Sequence, residues 1–237
     1  MVKKIHRFIT DFTSEKGIIK VTDKETVHQI GRVLKLNQEE RIIIGKGDGL
    51  DVLAKIVKVD KNAMYLKLQQ IIKNESEPAR YVTLYCSILK KDNFETAVQK
   101  ATEIGISQIV PIITKRTVKT DINSERLSKI IKESAEQSGR GKMPELGDIV
   151  SLEKAVEVAG EGDVIMFLEP CGSRFSPVGK DVKIASIFIG PEGGWVDEEI
   201  DMAKKAGFKI VSLCPLVMRA ETAATIASYL VIHSCLD

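Results

Sequence analysis

Short alternating runs of apolar and polar residues fill roughly the first third of the chain. The runs that look like strands are rich in β-branched residues and are separated by Gly, Asp and Asn: RFIT, GIIKV, RIIIG, DVLAKIVKV and AMYLKLQQI. A hairpin turn is predicted at GKGDGL, between the third and fourth runs. One segment, ETVHQIGRVLKL, has helical spacing, with Val27, Ile30, Val33 and Leu34 on one face. The pattern predicts a small β-barrel-like domain over residues 1–73.

After the polar segment KNESEP, near-continuous apolar strands alternate with amphipathic helices. The predicted strands are VTLYCSIL, QIVPIIT, VIMFLEP, IASIFIG and KIVSLCPL. Five helices are expected. The first begins at about Asp92, where Glu95 suggests a capping box, and the second runs through Leu127 and Ile131. The others are expected near SLEKAVEVA, from about Asp197, and over ETAATIASYLVIHSCL. This alternation predicts an α/β domain over residues 74–237, with a mainly parallel sheet covered by helices on both faces.

Composition and charge narrow the class of protein. Hydrophobic residues make up 43% and charged residues 29%, which is typical of a soluble globular protein. No apolar run reaches the roughly 18–20 residues of a membrane-spanning helix, and MVKKIHRFITDF has no signal-peptide core, so we expect a cytoplasmic protein without a membrane partner. The net charge is +2, but residues 1–80 hold 16 Lys/Arg against 11 Asp/Glu. A mildly basic first domain is compatible with a polyanion partner and equally with a solvated lysine-rich surface.

Cysteines and histidines give no metal signature. Cys86, Cys171, Cys214 and Cys235 are widely spaced and form no C-x-x-C pair, which favours reduced thiols and no metal site. No histidine stands in a metal-binding spacing with a cysteine or carboxylate. The nucleotide-binding motifs G-x-G-x-x-G and G-x-x-x-x-G-K-[ST] and the hydrolase motif G-x-S-x-G are also missing from the sequence.

Three predicted strands of the second domain end in loops marked by glycine or proline: FLEPCGSR, IGPEGGW and LCPLVMRAETAA. In open α/β sheets ligands bind beyond the carboxyl ends of strands, and glycine lets a ligand approach the backbone closely. Taken alone, GPEGG is equally compatible with a plain structural turn; the three loops together favour a ligand pocket. The acidic cluster Asp197, Glu198 and Glu199 predicts the first turn of the next helix.

These segments also resemble a known family. IGPEGGW followed one strand later by LCPLVMRAETAA is similar to the paired signature of the RsmE family of 16S ribosomal RNA uridine methyltransferases, which belongs to the SPOUT class. Further similar segments are HRF, HQIGRVLKL, KKDNFETAVQKATEIGISQIVPIIT and ESAEQSGRGKMPEL, in the family's order and in both domains. The chain departs from the family pattern at Cys214, where a glycine is usual, and at Leu216, where an arginine is usual.

The resemblance implies a fold and an activity. The fold would be a PUA-like β-barrel that binds RNA, followed by a SPOUT-type parallel sheet whose chain forms a deep trefoil knot. The protein would be a homodimer that uses S-adenosyl-L-methionine to methylate N3 of one uridine in 16S rRNA or the small ribosomal subunit. Two alternatives stay open: a SPOUT methyltransferase with another RNA target, and a non-catalytic RNA-binding factor in ribosome assembly.

The resemblance also implies roles for individual residues. The cofactor would contact the three loops, chiefly through backbone and apolar surface, at Leu168, Glu169, Gly190, Gly193, Leu213, Leu216 and Met218. Pro191 and Glu192 would shape the middle loop. Core packing is the alternative for Leu213, Leu216 and Met218.

Methylation at N3 requires loss of the imide proton, which a carboxylate can accept while a cation stabilises the developing anion. Arg219 and Glu221, at a strand-to-helix junction, are the candidate catalytic residues; Glu221 is equally compatible with a helix-capping role. Candidate RNA contacts are basic residues of both regions: Arg7, Arg32, Lys35, Arg140 and Lys142. The glycines around Arg140 would let the chain follow a phosphate backbone, and a flexible surface loop is an equally good alternative there.

Overall fold

A computed structural model of the chain describes residues 5–160 and 162–233. Within these ranges the chain forms two compact units. The first contains the residues up to Glu77 together with Ala135–Met143, and the second contains Pro78–Ser134 and the residues from Pro144 onward. None of the helices in the described ranges has the length and apolar character needed to cross a bilayer. Cys235 lies outside the described residues.

The first unit is built on a six-stranded sheet. Its strands are β1 (His6–Ile9), β2 (Thr13–Glu15), β3 (Ile18–Val21), β4 (Arg41–Gly45), β5 (Leu50–Val59) and β6 (Met64–Lys73). They lie in the order β1-β4-β5-β6-β3-β2, with β1 and β4 parallel and the other pairs antiparallel. The β4–β5 hairpin forms at GKGDGL as predicted. Only the three-residue strand β2 lacks a counterpart among the sequence predictions for this region.

The helix of this unit closes the core. Helix α1 (Lys24–His28) begins at Asp23, whose carboxylate accepts a hydrogen bond from Thr26 N at 2.9 Å, and it continues as a π-helical turn over Gln29–Val33. The wider π turn changes which residues face inward, so Val27 and Ile30 are buried but Val33 is 63% exposed. The prediction that Val33 belongs to the apolar face is therefore wrong.

Strands from nearly the whole width of this sheet share one apolar cluster with the helix. The cluster includes Phe8 of β1, Ile19 of β3, Ile30, Ile42 of β4, Ile56 of β5 and Leu66 of β6. Because residues from both ends of the strand order meet in one core, the sheet curls around it, as expected for a small barrel-like domain.

The second unit has the predicted α/β organisation. Its strands are β7 (Tyr81–Ser87), β8 (Gln108–Ile113), β9 (Glu145–Leu146), β10 (Val150–Ser151), β11 (Val164–Arg174), β12 (Ile184–Ile189) and β13 (Lys209–Ser212). Its helices are α2 (Asn93–Ile104), α3 (Ser124–Ser138, whose last residues belong to the first unit), α4 (Leu152–Ala159), α5 (Asp197–Lys205) and α6 (Ala220–His233). The strand order is β10-β8-β7-β12-β11-β13, with β9 also on β8, and every pair is parallel.

Helices cover both faces of this sheet, which confirms the predicted layering. Successive residues of β7 point to opposite faces, so Leu84 and Cys86 pack in one apolar cluster and Tyr85 in another. The first cluster contains buried residues of α2, α3 and α6, and the second contains buried residues of α4 and α5. Parallel strands covered on both sides explain the near-continuous apolar runs of the sequence.

The sequence predicted the start of α5 better than the capping of α2. Asp92 precedes α2, but its side chain makes no capping hydrogen bond, so the predicted capping box is wrong; Glu95 instead binds Arg126, with Nε and Oε1 2.6 Å apart. The acidic cluster after the middle loop, IGPEGGW, does begin α5. Its Glu199 is 2% exposed, and Oε2 accepts a hydrogen bond from Val196 N at 2.9 Å.

Candidate functional site

A cavity of about 600 Å³ lies in the second unit, at the carboxyl ends of β11, β12 and β13. The three loops singled out in the sequence form most of its wall, and the turn before α2 and the first turn of α6 complete it. This volume lies within the range of about 300–1,000 Å³ for small-molecule sites. The predicted clustering of the three strand-end loops around one pocket agrees with this geometry.

The cavity gathers most of the residues expected to contact a cofactor. Six of the seven line it: Leu168, Glu169, Gly190, Leu213, Leu216 and Met218. Gly193 is not among the lining residues; its carbonyl oxygen faces away to Arg116, whose Nη1 lies 2.7 Å from it. The expected cofactor contact at Gly193 therefore has no support in the geometry, whereas Gly194 next to it does line the wall.

Trp195 anchors the middle loop, IGPEGGW, to β11. Its ring stacks on Phe167 with centroids 4.1 Å apart, and its Nε1 donates a hydrogen bond to Leu168 O at 2.8 Å. Gly190 lies directly against this ring, because a Cβ there would be 2.9 Å from Trp195 Cε2. The missing side chain at Gly190 thus lets the loop pack on the tryptophan while its backbone faces the cavity.

The first loop is an excursion within β11. Leu168 and Ser173 both pair with Val211 of β13, so the four residues between them leave the ladder and return. Gly172 allows the return, since a Cβ there would be 2.7 Å from Val211 N. The sequence pattern placed this loop beyond the end of the strand, whereas in the structure strand pairing resumes after it.

Arg219 and Glu221 meet at the start of α6, as the sequence predicted. Arg219 Nη1 lies 4.0 Å from Glu221 Oε1; the arginine side chain is 83% exposed and the glutamate side chain 13% exposed. Within the described residues, Glu221 Oε2 is buried without a hydrogen-bond partner. That oxygen caps no backbone N–H of the helix, so a carboxylate is held at the cavity wall with one oxygen free to accept a proton or a hydrogen bond.

The thiol near these carboxylates is chemically quiet. Cys86 is fully buried at the end of β7, and burial, with the negative charges of Glu192 and Glu221, raises the pKa of its thiol far above the usual value. A protonated, buried thiol is a poor nucleophile. Over the described ranges, no group of three or more His, Cys, Asp or Glu is placed to hold a metal ion.

Some lining residues were not singled out from the sequence. Lys90, Lys91 and Asn93 come from the turn before α2, and Lys90 N donates a hydrogen bond to Glu192 Oε1 at 2.8 Å. They lie in the family-like segment KKDNFE, which is the sequence signal that could have identified them. Ser212, Cys214 and Val217 also line the wall, and only their position beside predicted residues marks them in the sequence.

Two of the five candidate RNA contacts are engaged elsewhere in the first unit. Arg7 forms an ion pair with Asp51. Arg140 is only 6% exposed, and its Nη2 lies 3.0 Å from Glu77 Oε2. The flexible surface loop considered for Arg140 is wrong, because Glu77 also accepts hydrogen bonds from the backbone N–H groups of Gly141 and Lys142.

The other three candidates remain available on the surface of the same unit. Arg32 and Lys35 are exposed at the end of the π-helical turn and just beyond it. Lys142 is exposed as well, and its backbone forms an antiparallel bridge with Asp48 of the β4–β5 hairpin. The first unit thus presents these cations to solvent while Arg7 and Arg140 stabilise its interior.

Comparisons with known proteins agree with both units. Residues 75–232 match the model of the family described as RNA methyltransferase domain, and residues 21–69 match that described as RNA methyltransferase PUA domain. A Rickettsia conorii protein named ribosomal RNA small subunit methyltransferase E is 27% identical, over 93% of this chain and 91% of that protein. The protein of the same name from Mesomycoplasma hyopneumoniae is 32% identical, over 71% of this chain and 77% of its own length.

Solved structures give the same result. A methyltransferase of Legionella pneumophila, solved in complex with the bound cofactor SAM, is 30% identical with a TM-score of 0.84, over 95% of this chain and 96% of that chain. A ribosomal RNA small subunit methyltransferase E from Neisseria gonorrhoeae, at 24% identity and a TM-score of 0.88 over 95% of each chain, shares the fold. The chain belongs to the RNA methyltransferase family, in the branch named ribosomal RNA small subunit methyltransferase E.

Proposed function

We propose that this protein is an S-adenosyl-L-methionine-dependent methyltransferase that methylates N3 of a specific uridine in the 16S rRNA of the small ribosomal subunit. The observation that carries the proposal is the cavity at the ends of β11, β12 and β13, with Glu221 and Arg219 at its wall. Family membership and the SAM-bound Legionella relative support the choice of cofactor.

The residues of the cavity suit that cofactor. Backbone and apolar groups of Leu168, Gly190 and Leu213 offer a surface for the adenosine. Glu169 and Glu192 bring negative charge for the ammonium and sulfonium groups, and Lys90 and Lys91 bring positive charge for the carboxylate and for RNA. The nearby Cys86 thiol does not compete for the methyl group, because its raised pKa keeps it protonated.

Glu221 and Arg219 supply the proton chemistry in this proposal. When bound, S-adenosyl-L-methionine supplies a methyl group that a nitrogen lone pair can attack. Uridine N3 must release its proton as the N–C bond forms, and the unpartnered Oε2 of Glu221 accepts it. Arg219, 4.0 Å from Glu221 and largely exposed, stabilises the negative charge that develops on the uracil carbonyl oxygens.

The first unit holds the RNA in this proposal. Its exposed cations Arg32, Lys35 and Lys142 contact phosphates, which position RNA without reading its sequence. Arg7 and Arg140 contribute indirectly, since their ion pairs with Asp51 and Glu77 order the surface that carries the exposed cations.

The remaining expectations from the family resemblance belong to the same proposal. The chain path of the second unit forms the deep trefoil knot of SPOUT proteins, and the protein acts as a cytoplasmic homodimer. Light scattering coupled to size-exclusion chromatography tests the dimer: we expect the mass of two chains, and the mass of one chain would contradict it.

Two measurements with purified protein test the function. Isothermal titration should show binding of S-adenosyl-L-methionine, and absence of binding would favour the non-catalytic assembly factor. Incubation with the cofactor and small subunits that lack the modification should then yield N3-methyluridine in digested 16S rRNA. Methylation of tRNA or of a ribose instead would favour another RNA target.

A further inference from the structure

The loop Gly190–Trp195 is held by a turn from a strand that is not its neighbour. In the sheet, β7 lies between β8 and β12, yet the turn Thr114–Thr117 that follows β8 reaches the loop that follows β12. Thr117 N donates to Thr114 O at 3.1 Å and Thr114 N donates to Thr117 Oγ1 at 2.9 Å, so the turn is internally closed.

Arg116 makes the contact between this turn and the loop. Its Nη1 donates hydrogen bonds to Gly193 O at 2.7 Å and to Trp195 O at 3.1 Å. Within residues 5–160 and 162–233 no carboxylate lies within ion-pair distance of Arg116; the carboxylate of Glu198 is near enough to interact with its charge but pairs with Lys115. Hydrogen bonds from a charged donor are stronger than those between neutral groups, and here one guanidinium fixes two peptide carbonyls of the same loop.

Further contacts hold the Thr114–Thr117 turn against the segment that follows β12. Lys115 N donates a hydrogen bond to Glu199 Oε1 at 2.8 Å, while the other oxygen of Glu199 binds Val196 N at 2.9 Å. Gly193 is the point of closest approach, because a Cβ there would lie 3.3 Å from Arg116 Cδ. The glycine that sequence assigned to the cofactor instead makes room for the arginine stem.

The same loop forms one wall of the cavity. Gly190, Glu192, Gly194 and Trp195 line it, and the Trp195 Nε1 hydrogen bond to Leu168 O connects the loop to the β11 side of the cavity. The carbonyls of Gly193 and Trp195 are turned to Arg116, which fixes the rotation of the Gly193–Gly194 and Trp195–Val196 peptide planes. The backbone presented to a bound molecule therefore depends on Arg116.

We propose that Arg116 is a positioning residue that preorganises the Gly190–Trp195 loop for cofactor binding. This inference rests on the proposed function, because it takes S-adenosyl-L-methionine as the occupant of the cavity. Arg116 is not a lining residue and touches no reacting atom in this role. Its loss should weaken cofactor binding without slowing methyl transfer once the cofactor is bound.

The test compares Arg116→Met with Arg116→Lys and with the control Arg126→Met. Arg126 is also exposed, binds Glu95 and lies in the same unit, so its replacement makes the same charge change at a residue that neither lines the cavity nor contacts the loop. For Arg116→Met we expect the KM for S-adenosyl-L-methionine to rise about tenfold with kcat within about twofold of wild type. Arg116→Lys should recover part of the affinity, because an ammonium can still bind one carbonyl.

Trp195 gives a readout that needs no cofactor. It is the only tryptophan of the chain and is 5% exposed, so its fluorescence reports on the loop. In cofactor-free Arg116→Met we expect stronger quenching of this fluorescence by acrylamide, whereas Arg126→Met should match wild type.

The possible outcomes separate this inference from the proposed function. Wild-type binding of the cofactor, with unchanged affinity and unchanged quenching in Arg116→Met, would overturn the role of Arg116 alone. A fall in kcat with an unchanged KM would also overturn it, since that pattern indicates a direct effect on the chemical step. Absence of cofactor binding by the wild-type protein would overturn the proposed function, and this assignment with it.

Discussion

Glu221 combines three properties that a proton acceptor needs at this site. It lines the cavity, its side chain is 13% exposed, and its Oε2 has no hydrogen-bond partner in the described part of the chain. A buried carboxylate oxygen without a partner is unfavourable for stability, which makes Glu221 a candidate for a functional role rather than a structural one. Because Oε2 accepts no hydrogen bond from the N–H groups of α6, a helix-capping role does not account for the position of Glu221.

Replacement of Glu221 by glutamine tests that role. Glu221→Gln keeps the shape and removes the proton acceptor, so kcat for methyl transfer should fall about 100-fold or more while the Kd for the cofactor changes little. The matched control is Glu157→Gln; Glu157 is exposed on α4, a helix that packs on the opposite face of the sheet from α6. Full activity in a folded Glu221→Gln protein would exclude Glu221 as the base.

Gly190 permits a contact that no other residue allows. In Gly190→Ala the new Cβ would lie 2.9 Å from Trp195 Cε2, so the ring must shift and weaken its hydrogen bond to Leu168 O. We expect the Kd for the cofactor to rise about tenfold or more in calorimetry. Gly160→Ala is the control, since its Cβ would meet only ordinary contacts at 3.5 Å; an unchanged Kd in Gly190→Ala would contradict this account of the loop.

Contacts between residues far apart in the chain could not be predicted from the sequence. The sequence could indicate which loops line the cavity, because strand ends and loop composition are local properties of the sequence. The contacts of Gly193 with Arg116 and of Arg140 with Glu77 join residues 77 and 63 positions apart. No periodicity or motif encodes such pairs, so sequence placed Gly193 at the cofactor and Arg140 on a free surface.

At the scale of elements, Ala135–Met143 is the segment whose packing departs most from chain order. It follows most of α3 in the sequence but folds with the first unit. Glu77 anchors it through Arg140, Gly141 and Lys142, and Glu136 Oε1 accepts a hydrogen bond from Ile9 N at 2.8 Å. The first unit is therefore incomplete without a piece of chain encoded far from the rest of it.

The stability supplied by Glu77 should depend on pH. Burial by itself raises the pKa of this carboxyl, but hydrogen bonds from Arg140, Lys142 and Gly141 outweigh it and hold the pKa below the ordinary 4.5. A pKa lowered by folding adds stability above the ordinary value, and this stability is lost as pH falls through the folded pKa. Glu77→Gln should therefore cost about 1–3 kcal/mol near neutral pH and progressively less below pH 4.5.

Urea unfolding of wild type and Glu77→Gln across this pH range measures the difference. The control Glu157→Gln removes an exposed ion pair with Lys154 and should have almost no effect. A gap between wild type and Glu77→Gln that stays constant below pH 4.5 would contradict the assigned ionisation.

At the scale of the whole molecule, the class of fold was predictable because apolar residues recur with a different period in each unit. Period-two runs with turn residues indicated the antiparallel unit, and apolar strands alternating with helical stripes indicated the parallel one. The short strands β2, β9 and β10 were missed, since three- and two-residue pairings leave no periodic signal. The π-helical turn after α1 was missed because helical spacing does not distinguish it from an α-helix.

The charge of the first unit should govern RNA affinity. Replacing Arg32 and Lys35 together by alanine removes two exposed cations, so RNA affinity should fall and the slope of log K against log salt should decrease by about one to two. Lys58→Ala is the control, because that lysine already binds Asp60. An unchanged slope in the double variant, measured by fluorescence anisotropy at several salt concentrations, would rule out this surface.

The modification state of 16S rRNA in the cell tests the central claim most directly. Mass spectrometric mapping should find N3-methyluridine at one position in wild-type cells and none there after deletion of the gene. Complementation with the wild-type gene should restore the modification, and Glu221→Gln should restore it poorly. Persistence of N3-methyluridine at that position in the deletion strain would contradict the account.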